Sequence, residues 1–180
     1  DREAVLGVMG YMTQYPDAYH HPREDAMFAR LAKRDPAMKP RMADVERGHR
    51  SIGSAGRELL AALQREPVQG PLEPATASRI ADYVAAMREH MAIEERELFP
   101  RARRLLDEQD LAAIDRDFSR VADPIFEASV RDAYAAYPPL VRMLVEEPAV
   151  RQVLDVLDGW YESASTLGEL LFAGTTARPP

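Results

Sequence analysis

"RIADYVAAMREHMAIEERELFPRA", residues 79–102, carries apolar side chains at Ile80, Val84, Met87, Met91, Leu98 and Ala102. Their intervals of three, four or seven, continued by Leu105, trace one face of an α-helix and predict a long amphipathic helix of about seven turns, ending near Leu106. Glu94 interrupts the pattern. It lies three residues after Met91 and four before Leu98, so at about 100° per residue its carboxylate falls inside the apolar stripe and points to the core. A carboxylate there is costly unless it is paired, protonated or bound to a cation. His90, one turn earlier, adds an imidazole on an adjoining face and completes a nitrogen and oxygen donor pair.

The preceding stretch, residues 41–65, places Val45, His49, Ile52, Gly56, Leu59, Leu60 and Leu63 on one stripe. A second helix follows, with His49 turned inward. Upstream, Val5, Val8, Met9 and Met12 predict a helix over Arg2 to Tyr15, whole or the remainder of a longer one. "YPDAYHHP" then brings Pro16 and Pro22, each of which removes an amide donor and crowds the turn before it, so a break or kink belongs here. A new helix starts near His20, runs through "EDAMFARLAKR" and is stopped by "DPAMKP". Within "HHPRED", residues 20–25, both His20 with Glu24 and His21 with Asp25 have four-residue spacing. Glu24 shares its stripe with Met27 and Leu31, whereas Asp25 aligns with Ala29 and Ala32 on a weaker face. His20 and Glu24 are therefore expected to point inward, with His21 nearby as a supporting donor. Thr76 or Ser78 is the expected N-cap of the long helix after the loop "EPVQGPLEP".

Beyond residue 107, "DEQDLAAIDRDFSRVADPIFEASVRDAYAAY" and "PAVRQVLDVLDGWYESASTLGELLFAG" predict further helices, with "YPPLVRMLVEE" a short one between them and "TTARPP" a tail. No stretch has the period-two alternation of a strand, and no internal repeat is present. The fold class is all-α, an up-and-down helical bundle over residues 1–106, with residues 107–180 as a C-terminal helical extension packed on the same domain.

With 180 residues, one domain is expected. The net charge of −7 disfavours nucleic acid or an anionic membrane as partner, and the basic run "RARR" at 101–104 is flanked by acids as on a solvated helix face. No apolar run reaches the length of a membrane span, and the cytoplasm is the expected location. Cysteine is absent, which removes disulfides, thiolate nucleophiles and sulfur ligation of metals. Nothing resembles a nucleophile elbow or a glycine-rich phosphate loop.

Each of these residues has a bland explanation when taken alone: a core histidine is commonly hydrogen-bonded packing, and a His/Glu pair at four-residue spacing is commonly solvated decoration. All four histidines of the chain nevertheless fall in this constellation. Three helices each aim a histidine at the core, and two of them add a glutamate one turn later. Imidazole and carboxylate without sulfur suit iron, manganese or zinc. Two glutamates and several histidines from facing helices suit two metals better than one.

These residues resemble the hemerythrin-like (HHE cation-binding) family. "YPDAYHHPREDAMFARL" is similar to its second-helix motif, "ERGHRSI" to its third-helix histidine and "REHMAIEERELFPRA" to its fourth-helix signature, in the same order over roughly residues 1–106. The resemblance implies a four-helix bundle holding two iron ions as a di-iron centre, with terminal histidines, two bridging glutamates and an oxo or hydroxo bridge. Carried over by position, the ligands are His20, Glu24, His49, His90 and Glu94. His21, Glu46 and Tyr83 are the candidates to support them. The family's first helix donates another histidine, and this sequence starts where that helix would already have ended.

The function this implies is binding or sensing of a small diatomic or redox ligand, such as oxygen, nitric oxide or peroxide, or the handling of iron, rather than catalysis. A ferritin-like di-iron oxidase is one alternative, but it needs an E-x-x-H motif from each of two helices, and Glu46 to His49 is the single instance. A helical interaction module with a vestigial metal site is the other, in which "YPPLVRMLVEEP" and "LDGWYESASTLGELLF" form a homodimer face instead of core. Tyr11, Tyr15, Tyr19 and Tyr83 are read as helix packing, with the lining of a ligand channel as the alternative.

Overall fold

The computed structural model describes residues 2–67, 70–117 and 151–157, together with 159, 163 and 166. Among these residues there is no strand, and the fold is an all-α helical bundle. Residues 2–34 are helical throughout, as α1 (Arg2–Tyr15), a π-helical turn (Pro16–His20) and α2 (His21–Arg34). The disturbance expected at Pro16 and Pro22 takes the form of this widened turn rather than a break. A proline inside an α-helix clashes with the carbonyl four residues back, and the wider π turn moves that carbonyl away. The Asp35 amide closes α2 on the Leu31 carbonyl at 2.7 Å, and a 3-10 turn (Pro36–Met38) leads into α3 (Lys39–Arg65).

The long helix predicted around Glu94 is present as α4 (Pro74–Ile93), a second π turn (Glu94–Leu98) and α5 (Phe99–Leu105). The Phe99 amide donates to the carbonyl of Glu94, five residues back, and Pro100 follows directly. The N-cap differs from expectation. Glu73 holds that position without a side-chain bond, and Thr76 and Ser78 lie inside the helix. Pro74, whose ring fixes φ near the helical value, sets the start instead.

α3 packs against α1, α2 and α4, and α2 packs against α5 as well. Three rods therefore run along one another: residues 2–34, α3, and residues 74–105. α6 (Glu108–Asp117) packs on α2, and residues 151–157 form a helical segment whose Val153, Leu154, Val156 and Leu157 join the core. The sequence-predicted helices between residues 118 and 150, the short helix among them, and the tail lie outside the described residues.

The core has two parts. Val5, Val8, Met9 and Met12 of α1 pack with Ile52, Leu59 and Leu63 of α3 and with Ile80, Val84, Met87 and Met91 of α4. Met27, Phe28 and Leu31 of α2 pack with Met42 and Val45 of α3 and with Leu98, Phe99 and Ala102 farther along the third rod. Fully burying one such side chain stabilises by about 1.5–3 kcal/mol. On every rod the polar residues lie where one cluster gives way to the other: His20 and Glu24 between Met12 and Met27, His49 between Val45 and Ile52, and Glu94 between Met91 and Leu98. Among the described residues, no helix is long and apolar enough to cross a membrane.

Candidate metal centre

Two π turns border this polar layer, the first ending at His20 and the second beginning at Glu94. Such turns shift the register of a helix by a residue and occur often at functional sites. His20, His21, Glu24, His49, His90 and Glu94 are all buried.

Glu24 is 0 % exposed, and among the described residues neither of its carboxylate oxygens has an aligned hydrogen-bond partner. Its neighbours are nevertheless close. His20 Nε2 stands 2.9 Å from Glu24 Oε1 and His49 Nε2 3.5 Å from Glu24 Oε2. Glu94 Oε1 is 3.3 Å from His49 Nε2 and 3.0 Å from His90 Nε2, and His90 Nε2 also lacks an aligned bond. The His49 Nε2 to Glu94 Oε1 contact is a hydrogen bond, whereas the others bring nitrogen and oxygen atoms close without alignment, an arrangement that suits ligands sharing a cation. A buried carboxylate is costly unless charged partners or a cation offset it; here the His20 and His49 rings stand against it, and a cation among them would complete its shell.

Two triads offer one ligand atom per residue within 4.8 Å of one another: Glu24, His49 and Glu94, and His21, His49 and His90. His49 belongs to both. His20 belongs to neither and meets the cluster through Glu24. The His21 ring stacks on that of His49 at 4.1 Å with an interplanar angle of 11°, and His90 stands edge-on to His49 at 4.7 Å.

The expected supporting residues separate. His21 is in the cluster itself. Glu46 lines a groove with Phe28, Lys33, Lys39 and Met42. Tyr83 is buried against Gly56, where an added Cβ would lie 3.2 Å from Tyr83 Cε2, and its hydroxyl pKa is raised by burial and then by the Asp17 carboxylate. The side chains of Tyr15 and Tyr19 lie outside the described residues, and Tyr11 is buried in the α1 cluster.

Two residues that the helical stripes passed over prove close to the histidines. Asp25 Oδ1 is 3.0 Å from His49 Nδ1, and Asp17 Oδ1 is 3.2 Å from His21 Nδ1. Each carboxylate stands behind a ring and leaves Nε2 for the interior, an arrangement that fixes the tautomer and orientation of ligating imidazoles. The four-residue spacing of Asp17 and His21 was the available sequence signal; the contact of Asp25 with His49 crosses between rods and had none.

Electrostatics follow the geometry. Burial lowers the pKa of His20, but the Glu24 carboxylate outweighs it and the net shift is upward. Burial would raise Glu24, yet His20 and His49 hold its carboxyl well below the usual range. Burial also works downward on His49, while Asp25, Glu24 and Glu94 raise its pKa to about 11. His21, pushed down by burial and then by the charge of His49, reaches about 4.

The sequence model of the hemerythrin HHE cation binding domain matches residues 1–102 of the chain. The chain belongs to this family. Every histidine and glutamate of the cluster described above lies within the matched residues, and the two triads of this HHE domain are groups that could hold a metal ion. Curated proteins and solved structures gave no match to the chain.

Proposed function

We propose that His20, Glu24, His49, His90 and Glu94 of the HHE domain would hold two iron ions, and that the centre binds or senses a small ligand such as oxygen, nitric oxide or peroxide. The observation that carries this reading is Glu24, wholly buried with neither oxygen in an aligned hydrogen bond among the described residues and facing imidazoles from two rods. Imidazole and carboxylate donors suit iron, with manganese and zinc as the competing ions. Iron held there would supply reversible binding or redox chemistry toward such a ligand. A histidine-rich set leaves less negative charge at the metals than a carboxylate-rich one, which favours reversible binding over strong oxidation. The chain's own contribution is to fix the donors in a buried layer between two apolar clusters, with Asp25 orienting His49.

The oxidase alternative loses support from Glu46, which lines a groove with Phe28 and Met42 rather than joining either donor triad. The deciding experiment is metal analysis with an optical spectrum of the iron-reconstituted, reduced protein before and after air or nitric oxide, repeated on Glu94→Ala. Bound iron and a ligand-dependent absorption change, both lost in the variant, are expected. Iron-loaded protein with no spectral response to either gas would refute ligand binding, and absence of metal from the wild type would refute the site.

A further inference from the structure

His21 is more deeply involved than a helper behind other ligands needs to be. It is 6 % exposed, and its Nδ1 faces Asp17 Oδ1 at 3.2 Å. Nε2 is then the nitrogen left to bind. Asp17 is itself anchored, because its Oδ2 accepts from Arg57 Nη1 of α3 at 2.8 Å. It also lies over Gly53, where an added Cβ would stand 2.8 Å from Oδ2. Glycine on α3 therefore leaves the room that Asp17 occupies.

The near-parallel stacking of His21 and His49 makes them a matched pair, each with an aspartate behind Nδ1. His90 supplies the third imidazole of the 4.8 Å triad. We propose that His21, positioned by Asp17, is itself a metal ligand and forms with His49 and His90 a three-histidine face of the centre. This rests on the reading of the cluster as a cation site, and it adds a donor outside the set carried over by family resemblance. Asp17 acts through His21 and is a positioning residue.

The test uses the full chain and cobalt(II) as the probe, read by its visible ligand-field bands and by metal counting. His21→Ala is expected to weaken cobalt binding at least tenfold and to shift the bands while the helical circular dichroism persists, with added imidazole restoring part of the original spectrum. Asp17→Asn, which alters only a partly exposed residue, is expected to weaken binding by about 10–100-fold, the range typical of lost partners behind metal ligands. Wild-type affinity and band positions in His21→Ala overturn the proposal. Should His21→Ala fail to fold, Asp17→Asn decides: shifted bands support the proposal and unchanged ones overturn it. Cobalt binding lost in Glu94→Ala but intact in His21→Ala would sink this inference alone, whereas a wild type that binds neither cobalt nor iron sinks the cation site with it.

Discussion

Burial by itself would leave His49 neutral, yet the carboxylates of Asp25, Glu24 and Glu94 hold its pKa at about 11, so without a cation the ring carries a proton at neutral pH. A cation must displace that proton, and affinity therefore rises with pH. Calorimetry of metal binding at pH 7, compared between buffers of different ionisation enthalpy, should show net proton release in the wild type. The apoprotein has a second signature. His21, with a folded value of about 4 against the ordinary 6.5, binds a proton more readily when unfolded, so stability rises from pH 4 to 6.5. His20 and His49 are shifted upward. Their contribution is complete below 6.5 and is lost as pH rises through their folded values. Apoprotein stability is thus expected to peak near pH 6.5, with Glu24, whose pKa is lowered, steepening the loss below its ordinary 4.5. Urea unfolding across pH checks this: His21→Ala should flatten the limb between 4.5 and 6.5, and His49→Ala the alkaline limb.

At the scale of an element, the two π turns are the parts of the rods that an α-helical template does not contain. Pro100 cannot donate to Arg96, so a regular helix there would lose a backbone bond and suffer a clash. The π turn avoids both by pairing the Phe99 amide with the Glu94 carbonyl. Pro100→Ala removes the reason for the turn. It is expected to raise the melting temperature of the apoprotein while weakening metal binding several-fold, because Glu94 loses the register that sets it against His49 and His90. Unchanged affinity would show that the turn does not position the carboxylate. Gly53→Ala tests the neighbouring rod: better helix propensity is set against a Cβ 2.8 Å from Asp17 Oδ2. A displaced Asp17, read as altered cobalt bands in Gly53→Ala, is the expected result.

Over the whole molecule, the polar layer lies between two apolar clusters that close on it from either end. A cation held at the proposed centre would join three rods at the place where apolar packing is interrupted, and because the donors come together only on folding it would bind the folded chain in preference. Metal at about a hundred times its dissociation constant stabilises by about 2.7 kcal/mol, which for a chain of this size is roughly 5–10 °C in melting temperature. Chelation should remove that increment in differential scanning calorimetry, and a chelator without effect would show that the layer does not depend on a cation. Leu31→Ala, at a position 0 % exposed within the α2 cluster, should cost about 2–5 kcal/mol and should leave the cobalt bands in place if the two clusters act separately from the centre.

The apolar stripes of residues 45–63 and 80–102 determined the helices, their buried faces and the inward placement of His49, His90 and Glu94, because helical periodicity is local and three or four residues suffice to express it. The same periodicity singled out Glu24 over Asp25 as the buried acid. It had no means of seeing that Asp25 reaches His49 across rods, or that Pro16 and Pro22 widen a helix instead of ending it. Periodicity paired His20 with Glu24 and set His21 beside them as a supporting donor; only packing showed that His21 stacks on His49 while His20 stays against Glu24. Spacing along one chain fixes which face a side chain occupies; distances between rods fix which atoms share a ligand. That second quantity depends on how the rods pack, and no single helix carries it.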